Sequence, residues 1–241
     1  MTDLLHPITA PRETPLLFIG PMSSAVLADL KTMTRRVVKP VGNDEGFVLQ
    51  DYGDGFWPYR SEDGESGFYR DRQGYDVEER IKCPYGQSGD RIWGKETFFA
   101  FGRWETRYSE KKGRDEWHFV DMTMECGHRY HYPVADDTLI LGAKGRGGTT
   151  PMWWKRPAIF MPRVASRILL EVTAVKVERL QDISEADCVA EGCPGGHGSI
   201  PEYPYASTPL EHYHWLWNSI NGPGSWEANP WVWAVSFRRI K

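Results

Sequence analysis

Two long polar stretches, residues 41–82 and about 101–160, interrupt a chain of 241 residues that is otherwise regularly patterned. The first is rich in Gly, Asp, Glu, Tyr and Arg. Asp51-Tyr52-Gly53-Asp54 and Ser61-Glu62-Asp63-Gly64 mark turns there, and the stretch has room for a hairpin. The second carries alternating strands around Trp117 to Val120 and Tyr130 to Tyr132, and ends in a basic glycine run from Gly142 to Thr150. Irregular stretches this long carry function or structure of their own.

The patterned segments lie around them. Leu16 to Ile19 reads as a strand, and Pro21 opens a helix whose buried stripe is Met22, Ala25, Val26 and Leu30. That helix ends near Lys31, where Thr32 to Val38 turns β-branched and strand-like. Arg91 to Phe99 is a strand, and Arg167 to Leu180 is a bent or bulged strand pair. Ser184 to Asp187 opens a short helix that Gly192 stops. Thr208-Pro209-Leu210-Glu211 caps a second helix with Leu210, Tyr213, His214, Trp217 and Ile220 as its apolar stripe. Trp231 to Phe237 closes the chain as a strand. Non-adjacent strands separated by irregular insertions point to an α+β fold, with a small mixed barrel favoured over a parallel layered sheet. The expected organisation is a single domain with its core at about 15–40, 83–100, 163–193 and 208–240, and insertions at about 41–82 and 101–160.

Lys+Arg 29 against Asp+Glu 33 leaves a net charge of −4, so any nucleic-acid contact must come from local basic patches. No apolar run approaches the ~18 residues of a membrane span, and Met1 to Glu13 has no stretch of signal-peptide length, so a cytoplasmic protein without membrane contact is expected. Cys83, Cys126, Cys188 and Cys193 are then expected to be reduced thiols. Cys126, His128 and His131, or Cys193 and His197, could be read as zinc ligands. Their spacing is not that of a finger or knuckle, and buried thiols with ordinary loop histidines are the plainer reading. His212 and His214 have no ligand partner four residues on. No metal or cofactor is expected.

Lys31-Thr32-Met33-Thr34-Arg35-Arg36 puts an amine and a hydroxyl three residues apart at a helix–strand junction. A hydroxyl nucleophile needs a neighbouring base, and a lysine serves as one if burial or nearby Arg35 and Arg36 lower its pKa. On its own, however, such a run reads as a solvated basic turn.

Gly20-Pro21-Met22 and Lys31-Thr32-Met33-Thr34-Arg35-Arg36 resemble the opening Gly-x-Lys-x-x-Thr-x-Arg signature of the ASCH domain family, with Asp29 at the glycine position. Gly89-Asp90-Arg91-Ile92-Trp93 is similar to the family's Gly-Asp-x-Leu-x-Val strand. Leu170 to Thr173, followed by Leu180 and Ser184-Glu185, resembles the next strand and short helix, and Val232 to Phe237 the last strand. Together with Cys83-Pro84-Tyr85-Gly86 and Ser219-Ile220-Asn221-Gly222, the pattern looks like ASCH proteins often encoded by bacteriophages and prophages.

The resemblance implies a PUA-like β-barrel carrying short helices, with RNA, nucleosides or modified bases as partners. It also implies an amidohydrolase that removes the acyl group from acetylcytidine with a lysine, a threonine and a glutamate. By motif these fall on Lys31, Thr34 and Glu191, and Arg36 matches the signature arginine. Glu191 precedes the helix-ending Gly192, where the helix dipole disfavours a carboxylate and so favours a proton donor. Arg35 and Arg36 are candidate substrate-binding residues, and Glu96 is a rival acid or a paired strand-end carboxylate. Trp153-Trp154-Lys155-Arg156, beside Lys144 and Arg146, either stacks bases while gripping phosphates or anchors a core. A noncatalytic RNA or modified-base binding module and a ribonuclease are the alternatives.

Overall fold

Five segments rich in apolar and β-branched residues pair into one sheet in the structure, a computed structural model that describes residues 10–39, 47–51, 56–60, 67–68, 83–133 and 148–240. In chain order the elements are β1 (Glu13–Leu17), α1 (Gly20–Leu27), β2 (Met33–Val37), β3 (Phe47–Asp51), β4 (Phe56–Arg60), β5 (Gly67–Phe68), β6 (Arg91–Lys95), β7 (Phe98–Ser109), β8 (Arg114–Asp121), β9 (Met152–Arg156), β10 (Leu169–Arg179), α2 (Glu185–Ala190), α3 (Pro209–Asn221) and β11 (Trp231–Arg239). The large sheet has the order β1-β6-β10-β11-β2, and two three-stranded sheets run β3-β4-β5 and β8-β7-β9. The fold is α+β, mostly strands with few short helices. Among the described residues the large sheet is an open array with β1 and β2 at its edges. No helix is long and apolar enough to cross a membrane. Residues 1–9, the turn signals at 52–54 and 61–64, and the part of the glycine run holding Lys144 and Arg146 lie outside the described residues.

The chain divides into two compact units, one of Met1–Pro15, Ser24–Ile92 and Ile168–Lys241, the other of Leu16–Ser23 and Trp93–Arg167. In the first, β11 lies between β10 and β2, antiparallel to both, and its Trp231 to Val235 run is buried throughout. The expected strand pair at 167–180 is a single strand, β10. Its register shifts between Val172 and Ala174, and Ser88 Oγ donates to the Thr173 carbonyl at 3.1 Å. Leu180, Ile183, Cys188, Cys193, Tyr213, Trp217 and Val232 form a core cluster under α2 and α3. Truncating an indole such as Trp217 in a cluster of this kind costs about 3–5 kcal/mol.

Both expected helix caps form. Ser184 accepts from the Asp187 backbone N–H at 3.1 Å, and Thr208 and Glu211 close a reciprocal capping box at 3.2 and 2.7 Å. The stripe of α3 is narrower than expected: Tyr213 and Trp217 are buried, whereas Leu210 and Ile220 are exposed. Helix α1 ends at Leu27 rather than near Lys31, which leaves Leu30 exposed. Its end is set by Asp29, a non-glycine residue at φ 57°, whose carboxylate takes two hydrogen bonds from Arg239 at 2.8 and 2.6 Å. An aspartate tolerates the left-handed region better than most residues, and the guanidinium holds it there.

In the second unit the expected strand at 91–99 breaks at Glu96, so that β6 ends and β7 begins. β7 pairs with β8 and with β9, a strand that the unalternating Met-Trp-Trp-Lys-Arg sequence did not announce. The stretch around Tyr130 to Tyr132 contributes only a single bridge, between Phe99 and His131. Phe98, Ala100, Met161 and Ala165 form this unit's core, with Phe119, Tyr130 and Tyr132 packed against it.

Candidate active site

The chain after α1 is gripped from three directions within the first unit. The backbone N–H groups of Leu30 and Lys31 both donate to the Ala25 carbonyl, Thr32 N–H donates to Ala190 at the end of α2, and Phe237 N–H of β11 donates to the Thr32 carbonyl. Glu191 is the residue at which α2 ends, and Gly192 follows at φ 88°, where a Cβ would touch the Lys31 stem. A left-handed residue there turns the chain away directly after Glu191, which is why glycine suits the position.

These supports bring Lys31 and Glu191 together across 160 residues of sequence. Lys31 Nζ donates to Glu191 Oε2 at 2.6 Å and to the Glu191 backbone carbonyl at 2.7 Å, with side-chain exposures of 0% and 3%. Burial pushes the Lys31 ammonium below the usual lysine range; the Glu191 carboxylate opposes that shift and the Arg36 guanidinium adds to it.

Thr34 lies on β2 opposite Val235 of β11 and is buried. Among the described residues its hydroxyl has no hydrogen-bond partner. An orphaned buried hydroxyl costs about 1–3 kcal/mol, so its presence calls for an explanation, of which a catalytic role is one.

Arg35, expected to bind substrate, is turned inward. Its Nε and Nη2 donate to Glu178 Oε1 of β10 at 2.8 and 2.5 Å, Nη2 also to Asp187 Oδ2 at 2.9 Å, and Nη1 lies 3.5 Å from Glu191 Oε1. Its side chain is closed to solvent. Arg35 thus ties β2, β10 and α2 together and holds the second oxygen of Glu191. Glu178 and Asp187 were not singled out from sequence, because nothing in local spacing reports a strand-to-helix ion network. Arg36 is half-buried and donates to the Arg35 carbonyl at 3.2 Å. The phenol of Tyr213, in the same core, is pushed well above its ordinary pKa by burial and by the Glu191 carboxylate.

The remaining candidates fall in the second unit. Glu96 is buried, and Arg167 pairs with both of its oxygens at 2.8 and 3.0 Å while lying 4.0 Å from the Tyr132 ring centre. This is the geometry of a paired strand-end carboxylate. Trp154 is buried and donates its indole N–H to the Gly102 carbonyl at 2.9 Å, so it anchors β9 to β7. Trp153 is half-buried and packs against His131, His128 and Phe101 at ring-centre distances of 4.7, 5.4 and 5.7 Å. His128 and His131 are therefore ring partners of a tryptophan. Cys126 is exposed, and among the described residues no group of three or more His, Cys, Asp or Glu side chains is placed to hold a metal ion. In the first unit Cys193 is buried, with its thiol pushed up to about 12 by that burial, and His197 is exposed.

Comparison with family models, curated proteins and solved structures gave no match.

Proposed function

We propose that Lys31, Glu191 and Thr34 form the catalytic centre of an amidohydrolase that removes an acyl group from the exocyclic amine of a cytosine nucleoside, acetylcytidine being the model substrate, on an ASCH-type, PUA-like fold acting in the cytoplasm. The observation that carries this reading is the buried 2.6 Å Lys31–Glu191 contact, accompanied on the next strand by a buried hydroxyl with no partner.

Lys31 Nζ and Glu191 Oε2 lie at hydrogen-bond distance, so in this mechanism a proton passes between them to give a neutral amine and a protonated carboxyl. That tautomer supplies both groups the chemistry needs. The Thr34 hydroxyl is not hydrogen-bonded to Lys31 in this conformation, so the opening that admits substrate must also bring the two together; the Lys31 amine then takes the Thr34 hydroxyl proton as the oxygen attacks the amide carbon. The tetrahedral intermediate collapses, the C–N bond breaks, and the Glu191 proton goes to the departing cytosine amine. This leaves acyl-threonine, an ammonium and a carboxylate. Water attacks the ester carbon and gives its proton to Glu191; the C–O bond to Thr34 breaks and the oxygen recovers its proton from Lys31. Carboxylic acid and cytidine are the products, and the pair returns to its starting state. Arg35 positions Glu191 throughout without touching substrate.

All three side chains are closed to solvent in this conformation, so catalysis requires an opening that admits the nucleoside. The same closure favours a second reading, a noncatalytic modified-base module in which the buried ions only fasten α2 to β2. A ribonuclease has less support, because Arg35 spends its donors on carboxylates. Incubating the protein with acetylcytidine, and separately with RNA, tests the choice. Acetate release by the parent chain and its loss in Thr34→Ala supports the hydrolase. Binding of the nucleoside without turnover in either chain supports the module.

A further inference from the structure

The outer face of α3 carries a concavity that none of Lys31, Thr34 and Glu191 lines. It has a volume of about 710 Å³ and is lined by Glu211, Trp215 and Asn218 of the helix, together with residues of the 200–203 and 223–227 loops. Residues 211, 215 and 218 share one helix face by their spacing. Trp215 and Tyr203 remain 37% and 38% exposed, and Tyr205 packs on Tyr203 at a ring-centre distance of 5.9 Å. Large aromatic rings left open in a concavity are an unmet binding opportunity.

The permanent charges in the concavity are acidic. Glu211, Glu227 and His214 line it, and among the described residues no lysine or arginine does. Glu227 is held beside α3 by His214, whose Nε2 lies 3.3 Å from Glu227 Oε1 and whose ring sits 4.9 Å from that of Trp226. Glu211 uses Oε2 to cap α3, which fixes its position in the lining and leaves Oε1 for a ligand. Two positioned carboxylates beside an indole and a phenol repel phosphate and attract an organic cation. A planar guanidinium meets both features, since it can lie over an aromatic face while donating in parallel to a carboxylate.

We propose that this concavity docks an arginine side chain presented by an extended segment of a partner protein. The guanidinium lies on Trp215 and pairs with Glu227 and Glu211, while the flanking residues of the segment cover Tyr203 and Tyr205. The volume lies within the range of peptide- and drug-sized sites and exceeds what one guanidinium fills, which argues for a segment over a single small cation.

The test uses the full chain and fluorescein-labelled pentapeptides with leucines flanking a central arginine, citrulline or glutamate, read by fluorescence anisotropy. Saturable binding of the arginine peptide is expected, with citrulline at least about tenfold weaker because it keeps the shape and loses the charge. Trp215→Ala weakens binding about fivefold or more, Trp215→Tyr retains it within about threefold, and Glu227→Gln weakens it about threefold. Equal affinity for the arginine and citrulline peptides, absence of saturable binding, or undiminished binding by Trp215→Ala overturns the proposal. So does a labelled RNA hexamer that binds the parent chain and binds Glu227→Gln more tightly.

Discussion

Lys31 Nζ makes two bonds to one residue, to the Glu191 carboxylate at 2.6 Å and to the Glu191 carbonyl at 2.7 Å. Side chain and backbone of Glu191 are therefore fixed by a single amine. Removing either partner has unequal consequences. Glu191→Gln strands a buried ammonium and takes a carboxylate from Arg35, and is expected to cost about 3–5 kcal/mol in urea unfolding at neutral pH. Lys31→Met leaves Glu191 with Arg35 still nearby and costs less. The double variant recovers part of the loss, because no buried ion is then left unpaired.

The direction of the Lys31 shift sets the pH behaviour. Its folded pKa lies below 10.5, so the folded state binds fewer protons than the unfolded state in the window between the two values. Stability from this group therefore rises with pH through that window. The parent chain should gain stability relative to Lys31→Met as pH climbs toward 10.5, measured by urea midpoints at each pH. In turnover, kcat/KM for acetylcytidine should fall as rising pH removes the one proton held by the Lys31–Glu191 pair, because Glu191 then has none to give the leaving amine, and Lys31→Arg should abolish it, because an arginine cannot act as the base.

Thr34 separates catalysis from folding. Its hydroxyl makes no hydrogen bond among the described residues, so Thr34→Val keeps the shape and removes an unsatisfied polar group. Its stability is expected within about 1 kcal/mol of the parent chain or above it. Acetylcytidine turnover should vanish all the same. Chemical denaturation and product analysis on one preparation test both halves.

Asp29 tests how the site is reached from α1. Its left-handed backbone favours glycine, while its carboxylate engages Arg239. Asp29→Gly should melt at a higher temperature than Asp29→Ala, because both lose the ion pair and only alanine adds backbone strain. The reverse order would mean that Asp29 does not hold this conformation.

What was legible in the sequence was mainly local. Ser184 with Asp187 and Thr208 with Glu211 announced α2 and α3, because a cap is chemistry among residues three apart. The end of α1 was not readable, since Asp29 depends on a guanidinium 210 residues away. β9 was missed because Met152 to Arg156 has no polar–apolar alternation: Trp154 is buried, while Trp153 and Arg156 rest against neighbouring rings. Lys31 and Glu191 were paired only through a resemblance, and the geometry now brings them together. In the sequence Arg35 reads as a substrate-binding cation. Its true neighbours, Glu178 and Asp187, arrive from β10 and α2, and no pattern within β2 reports them.

Trapping the covalent intermediate tests the catalytic centre most directly. The parent chain is mixed with acetylcytidine, acid-quenched at short times, digested and read by mass spectrometry. One acetyl group on the peptide containing Thr34, absent from Thr34→Val, is the expected result. Turnover of acetylcytidine with no acetyl on Thr34, or with the acetyl on another side chain, would contradict it.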